Sequence, residues 1–451
     1  MRRWSLTAII LFFAAVPSFS QSTAQKTPKL VTLDQAVQIA LERNISVLTA
    51  QYSLEGQQSA VTAAYGNLLP TLSANGNWQR TQSDRQSTFI QGIGNLPFRQ
   101  VATTNSFNTS IGSNLLLFNG FANTANVQRA TSNAVGAEQT LNRARQGVVF
   151  QVQTLYSNLL RNEELTKVNE DNLKRDRRQL EQIEESNRVG SKSLADVYRQ
   201  QVQVGNDELA LIQAQNTYDK ARADLIFELG LNVTDEYDFH DPTIKPDVDT
   251  TEFKAVNGQY RDYRSLVNEA LGVRPDYLSA IENVNAANSS VTVAIGGHFP
   301  SIAAFVSYGL NSTELGRLSD NRSFLWGLNV SFPLFNGWQT TNQVQQAKVN
   351  LKTAEQQLSQ AERQVQVDIM KSLLDLEAAE KQVYVTVNSV ISATEDRRIA
   401  EEKYNLGAGT ILDLLTAEAN YTLALSNKVN AAYNYFLVKK QLEYNIGRIR
   451  Y

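Results

Sequence analysis

Two hydrophobic periods divide the chain into helical and extended stretches. In two long stretches, apolar residues recur at intervals of three and four, as on a helix with one buried stripe. The stripes are Val127, Ala130, Ala134, Ala137, Leu141, Ala144 and Val148 in the first stretch, and Val344, Ala347, Leu351, Ala354, Leu358, Ala361 and Val365 in the second. A heptad stripe with alanine at alternate positions predicts closely packed, supercoiled helices. A two-helix coiled-coil hairpin would show the same stripe.

Each stripe lies on a predicted helix of unusual length. These long helices cover 121–187 and 338–404, 67 residues each, which is about 100 Å at 1.5 Å per residue. Shorter predicted helices flank them: leading helices at 34–66 and 264–296, and return helices at 193–229 and 411–447. One leading and one return helix together match the length of a long helix. We therefore expect these two to stack end to end beside it, meeting near mid-height.

Four segments between the leading and long helices alternate with period two. They are predicted strands near 71–81, 105–117, 301–311 and 323–333. One face is apolar and includes Phe107, Ile111, Leu115, Tyr308, Phe324, Trp326, Leu328, Val330 and Phe332. The opposite face is small and uncharged. About ten residues suffice for a tilted strand to cross a bilayer with its apolar side chains toward lipid.

Four strands are too few to close a barrel. Because unpaired strand edges are not tolerated in lipid, the strands predict a barrel shared among identical copies of the chain. A soluble β-sandwich insert in a helical protein is the alternative.

The same unit occurs twice in the sequence. Phe118-Asn119-Gly120 recurs as Phe335-Asn336-Gly337, 217 residues later, and Gly190 and Gly407 have the same separation. Each repeat would contain a helix, a β-hairpin, a long helix and a return helix. The predicted divisions are the first repeat at 33–230, a mid-height connector or equatorial belt at 231–263, and the second repeat at 264–451.

The N-terminus predicts export. Met1-Arg2-Arg3 precedes an apolar run at 6–16 and small residues, as in a signal peptide at 1–20, or to 24. The run is shorter than the roughly 18 residues of a membrane span, which disfavours an N-terminal anchor. No other run reaches that length, so any contact with a membrane would be made by strands.

Composition narrows the chemistry further. The 451 residues include 42 Lys+Arg, 45 Asp+Glu, two His and no Cys, for a net charge of -3. This balance disfavours nucleic-acid binding, and the absence of cysteine excludes disulfides, thiolate metal sites and a lipoprotein anchor. His240 and His298 are too few for a three-histidine metal site. Without a Gly-x-Ser-x-Gly or His-Glu-x-x-His motif, a periplasmic hydrolase is disfavoured, and we predict no enzyme activity, cofactor or metal.

These features together resemble the TolC-type outer-membrane efflux proteins, over roughly 33–450. The most specific part of the resemblance is the pair of helix turns at 188–196 and 404–413. It implies a mixed α and β membrane protein: a homotrimer with a 12-stranded β-barrel, four strands per chain, continued by a 12-helix α-barrel. The barrel would lie in the outer membrane of a Gram-negative bacterium and contact its lipid, and the helices would extend into the periplasm.

The resemblance also implies partners and site residues. A periplasmic adaptor, or membrane-fusion protein, would link the channel to an inner-membrane transporter. It would dock at Val189, Gly190, Ser193, Leu406, Gly407 and Thr410, and the tip gate would comprise Asp196, Asp413 and Tyr404. The sequence departs from the family pattern at Gly409 and Thr416, which replace a basic and an acidic residue, although Lys192 is basic in the first turn.

The implied function is a passive channel-tunnel that exports small molecules or proteins in a tripartite efflux system. Its tip would be gated by docking of the adaptor and pump. A secreted or periplasmic coiled-coil structural protein or adhesin without a pore is the alternative. A third interpretation keeps the channel but gives it a protein-secretion transporter as its partner. The sequence does not distinguish among drugs, metals, peptides and proteins as cargo.

Overall fold

The computed structural model describes residues 29–85, 88–90, 94–96, 100–241, 253, 260 and 262–451. The predicted signal peptide at 1–20, with its extension to 24, lies outside these residues. The same applies to connector positions 242–252, 254–259 and 261.

The helices and long strands follow the same order in both halves of the described chain, and the short strands β3 and β4 belong to the first half. The helices are α1 (Leu33–Arg43), α2 (Ile45–Gly66), α3 (Ala122–Arg188), α4 (Leu194–Glu228), α5 (Tyr263–Val273), α6 (Pro275–Gly296), α7 (Gln339–Asn405) and α8 (Ile411–Ile446). The strands are β1 (Lys29–Leu30), β2 (Thr71–Arg85), β3 (Thr88–Ile90), β4 (Gly94–Leu96), β5 (Gln100–Asn119), β6 (Tyr237–Asp238), β7 (Ser301–Ser312) and β8 (Arg322–Ser331). The two long helices have 67 residues each, as predicted.

The prediction of one continuous leading helix is wrong in both halves. The helix breaks at Asn44 and at Arg274, whose ψ angles of 129° and 116° are extended. Asn44 caps α2, since its side chain accepts a hydrogen bond from the Ser46 amide at 2.8 Å. In the second half, Pro275 begins α6 and disfavours helical backbone at the residue before it.

The return helices end where the leading helices break. Asn44 Nδ2 donates to Glu228 Oε1 at 2.8 Å, which joins the end of α4 to the start of α2. Arg274 Nη1 donates to the Asn445 carbonyl at 3.3 Å, which joins the end of α8 to the start of α6. The predicted end-to-end stacking of leading and return helices is therefore found. Of each leading segment, only the second helix, α2 or α6, is part of the stack. We call these two junctions the mid-height joints.

The helices pack side by side with α3 near the middle. The α2–α4 stack contacts α3, α3 contacts the α6–α8 stack, and that stack contacts α7. The short strands β1 and β6 pair in parallel beside α1. Tyr156 of α3 is fully buried at this place, and its hydroxyl donates to the Val31 carbonyl at 2.9 Å. None of the helices in the described part of the chain carries an apolar stretch that could span a bilayer.

The four long strands form one antiparallel sheet in the order β2-β5-β7-β8. Its register places Trp78 opposite Phe107, Ile111 opposite Tyr308, and Tyr308 opposite Phe324, so the predicted apolar residues share one face. β2 and β5 extend beyond 71–81 and 105–117, to Arg85 and from Gln100. Phe332 follows the last residue of β8.

The opposite face of the sheet is less uniform than the sequence analysis predicted. Phe305 lies on it, paired with Gly327 across β7 and β8. A Cβ atom at Gly327 would come within 3.0 Å of the Phe305 ring. This glycine therefore provides the space that a large side chain needs on a face of mostly small residues.

Candidate functional site at the helical tip

Both helix turns lie at the same end of the bundle, around one small apolar core. The core consists of Ile183, Val197, Tyr404, Ile411 and Leu414, which come from all four helices that meet there. The sequence places the turns in separate repeats, and the structure brings them together.

A glycine with a left-handed backbone ends each long helix. The φ angles of Gly190 and Gly407 are 81° and 73°. Within the described residues, a Cβ at either position would meet no atom within 4 Å. The backbone conformation, and not the available space, therefore selects glycine at these two turns.

A hydroxyl side chain caps each return helix. Ser193 Oγ accepts a hydrogen bond from the Asp196 amide, and Thr410 Oγ1 accepts one from the Asp413 amide, both at 3.2 Å. This is the capping role expected for these residue types at the first position of a helix. The predicted role of both residues in docking the adaptor stays a prediction.

Asp413 is held by the residue that begins its helix. Its Oδ2 accepts hydrogen bonds from the Thr410 amide at 3.0 Å and from the Thr410 hydroxyl at 2.7 Å. These bonds lower the pKa of the Asp413 carboxyl. The carboxylate therefore completes a capping box, and its predicted role in the gate stays a prediction.

Lys192 contacts the predicted gate residue Tyr404 across the two turns. Lys192 Nζ donates to the Tyr404 carbonyl at 2.7 Å and lies 3.6 Å from the centroid of its ring. Tyr404 is 3% exposed; burial first, and then the Asp196 carboxylate, raise its pKa to about 12. The sequence showed a basic residue in the first turn, but nothing in the sequence pairs positions 212 residues apart.

Apolar side chains project from both turns into solvent. Val189 is 71% exposed and Leu406 84%, and Leu194 and Leu412 on the following helices are also exposed. These four residues form what we call the tip patch. Apolar side chains grouped in this way are typical of a surface that binds another molecule.

The apolar face of the sheet is equally exposed. Phe324, Trp326, Leu328 and Val330 of β8 are all more than 60% exposed. In the described chain, β2 and β8 each pair on one side only, so the sheet has two open edges. An exposed apolar face beside open strand edges fits a lipid environment with further strands added at both edges.

Comparison with known proteins agrees with this geometry. The sequence profile of the family described as outer membrane efflux protein matches residues 36–231 and 266–448. Outer membrane protein TolC of Vibrio cholerae is 24% identical over 91% of this chain and 89% of its own length. The probable efflux pump outer membrane protein TtgC of Pseudomonas putida is 22% identical over 86% and 77%. The solved structure of the outer membrane protein VceC from Vibrio cholerae has a TM-score of 0.75 at 19% identity, over 92% of this chain and 96% of that one.

Proposed function

Because the chain belongs to the outer membrane efflux protein family, we propose that it acts as an outer-membrane channel-tunnel of a tripartite efflux system. The observation that carries this proposal is the continuity of two structures: an exposed apolar sheet leads directly into two helices of 67 residues. Such helices are about 100 Å long. A passage through the membrane would thus continue into a passage through the periplasm.

Three copies of the chain would form the closed wall. β8 of one copy would pair with β2 of the next, and twelve strands would close a barrel without free edges. α7 of one copy would likewise pack against the α2–α4 stack of its neighbour. Both surfaces carry exposed apolar side chains, including Tyr52 and Ile212 on one and Tyr384 and Ile391 on the other.

The repeats support this assembly through a glycine contact. A Cβ added at Gly120 would come within 2.6 Å of the Gly296 carbonyl oxygen, so α3 begins directly against the end of α6. Their counterparts in the other repeat are Gly337 and Gly66, and neither has an atom within 4 Å of an added Cβ in the described chain. In the trimer, Gly337 of one copy would occupy the same position against Gly66 of the next.

The tip would be the site of docking and gating. The tip patch offers apolar side chains to a periplasmic adaptor, with Gly190, Gly407, Ser193 and Thr410 shaping the turns that present it. Lys192 would hold the two turns together through Tyr404, at the end where this chain has Gly409 in place of the basic residue of the family pattern. Asp196, which faces Tyr404, belongs to the same group. The inner-membrane transporter would supply the energy, and the channel would be passive.

The test is the assembly and conductance of purified full-length protein. We expect trimers in detergent, and ion conductance after insertion into planar lipid bilayers. A monomer that leaves the membrane without detergent and conducts no ions would contradict the proposal and favour a coiled-coil structural protein.

A further inference from the structure

Three carboxyl groups from three helices meet inside the lower part of the bundle. Asp176 lies on α3, Asp207 on α4 and Glu418 on α8. Asp176 and Asp207 are 1% and 6% exposed, and Asp176 is within hydrogen-bonding reach of both other carboxyls. The site is 12 residues from the end of α3, roughly 18 Å from the tip. We call these three residues the carboxyl cluster.

The cluster has more acceptor atoms than donors. Gln200 Nε2 donates to Asp176 Oδ1 at 3.3 Å, and Gln203 Nε2 donates to Asp207 Oδ1 at 3.0 Å. Among the described residues, no hydrogen-bond donor reaches Asp207 Oδ2, Glu418 Oε2 or Oε1 of the fully buried Gln200, and these three oxygens are themselves buried. Buried oxygens without a donor are costly. A proton bound to a carboxyl group supplies the donor that is missing.

Few other charges face the cluster. On α3, Arg175 Nη2 donates to Asn172 Oδ1 at 2.9 Å. On α7, Arg397 lies 4.5 Å from the ring centroid of Tyr421, which belongs to α8. Both arginines favour the ionised form of Glu418, but burial and the neighbouring Asp176 outweigh them. Burial and Asp176 likewise raise the pKa of Asp207, to about 8, the value also reached by Glu418.

We propose that the carboxyl cluster binds protons that hold α8 against the α3–α4 hairpin, and that losing them in alkaline medium loosens this contact. In the folded chain, a protonated carboxyl donates to a neighbouring oxygen on another helix. Without the protons, like charges would face one another in a buried space, and the helices would separate to admit water. α3 and α4 come from one half of the chain and α8 from the other, so the cluster makes the contact between the halves sensitive to pH.

The direction of the pH effect follows from proton linkage. Asp207 and Glu418 bind protons more tightly in the folded bundle than in an unfolded chain, where carboxyl pKa values are about 4. Their stabilisation is complete below about pH 4 and is lost as the pH rises toward 8. For each proton released, the ratio of closed to open contact falls about tenfold per pH unit.

The absence of cysteine allows a direct measurement of this contact. Spin labels on Tyr198→Cys of α4 and Leu412→Cys of α8, both at exposed positions, report the separation of these helices in the purified full-length chain. We expect the distance distribution to broaden toward longer distances between pH 6 and pH 9. With Asp207→Asn and Glu418→Gln added, the carboxyls can no longer ionise, and the short distance should persist at both pH values. Asp219→Asn, at an exposed position on α4, is the matched control and should keep the pH response.

Two results would overturn the inference. One is an equal pH response with and without the neutral substitutions. The other is a distance change caused at fixed pH by Ca²⁺ or Mg²⁺ that requires the carboxyls, because the site would then hold a cation and not a proton. Thermal unfolding of the unlabelled chain gives an independent readout. Its midpoint temperature should fall between pH 6 and pH 9, and the fall should be smaller in the variant with Asp207→Asn and Glu418→Gln. These measurements need no conductance, so their failure would leave the proposed channel function untouched.

Discussion

Lys192 is the side chain that ties the two turns of the tip together. Its ammonium group contacts both the carbonyl and the ring of Tyr404, so one residue joins the start of α4 to the end of α7. A hydrogen bond from a charged group in a half-buried site contributes about 1–2 kcal/mol. We therefore expect the backbone amides of 403–410 to exchange hydrogen about 5–30 times faster in Lys192→Met than in the unchanged chain. Lys220→Met, at an exposed position on α4, should leave the exchange of these amides unchanged, and equal rates in all three proteins would contradict the assignment.

Asp413 gives the tip a response to acid. Its pKa is lowered by hydrogen bonds from Thr410, so the cap that it completes is intact above the ordinary aspartate pKa of about 4 and is lost as the pH falls below it. The protection of amides in the first turn of α8, measured relative to their intrinsic exchange rates at each pH, should therefore fall in acid. In Asp413→Asn this protection should vary less with pH. A variant with an undiminished acid response would exclude the carboxylate as the cause.

The capping residues and turn glycines could be predicted because their roles are local. Serine or threonine three residues after a glycine and three residues before an aspartate indicates a helix turn wherever it occurs. The contact of Lys192 with Tyr404 and the carboxyl cluster could not be predicted, because they depend on how distant helices pack. The buried acids have no periodicity of their own, and on a helix otherwise rich in charge they resemble surface residues.

At the scale of elements, Arg274 fixes one of the mid-height joints. It is 4% exposed, and its guanidinium bonds Asp276 at 2.9 Å and Asp368 at 2.8 Å. Removing the cation leaves Asp276 with Arg143 at 3.8 Å and Asp368 with the Gln364 amide alone, so Arg274→Met should destabilise the folded chain by about 2–4 kcal/mol. Arg264→Met, at an exposed position on α5, should lower the free energy of unfolding by less than about 0.5 kcal/mol. Urea unfolding followed by circular dichroism compares the two variants, and similar midpoints would refute the role of Arg274.

Hydrophobic periodicity predicted the long helices and the strands well. The signals of period 3.5 and period 2 extend over many residues and do not depend on distant contacts. Periodicity did not show the breaks in the leading helices, because apolar residues continue through Asn44 and Arg274. Pro275 was a visible signal in the second half, whereas at Asn44 the break depends on a cap that many asparagines in loops could also provide. The outer ends of β2 and β5 were missed because the alternation of apolar and polar residues is lost there.

At the scale of the whole molecule, the glycine contact between repeats predicts a requirement for assembly. Gly66 has no neighbour within 4 Å of an added Cβ in the described chain, so a larger residue there is tolerated within one copy. In the trimer it would strike the start of α7 of the next copy. We expect Gly66→Val to lower the trimer fraction at least about tenfold, which corresponds to 1.4 kcal/mol, as measured by sedimentation in detergent.

The control for this prediction is another open glycine on the same helix. Gly56 also lacks neighbours within 4 Å in the described chain, and its counterpart in the second repeat is Ala286. Gly56→Ala should therefore assemble normally. If Gly66→Val formed trimers as readily as Gly56→Ala, the proposed position of Gly66 at the subunit boundary would be wrong.

The mid-height joints have a mechanical consequence for the assembled tunnel. α4 and α8 each end at a joint and do not continue into α2 and α6, so torque applied to a return helix reaches the next helix through side-chain hydrogen bonds and packing, and not through a continuous helical backbone. In the proposed trimer, a twist imposed at the periplasmic end would therefore be taken up at the joints. The β-barrel would keep its strand register in the membrane while the lower half of the tunnel changed diameter.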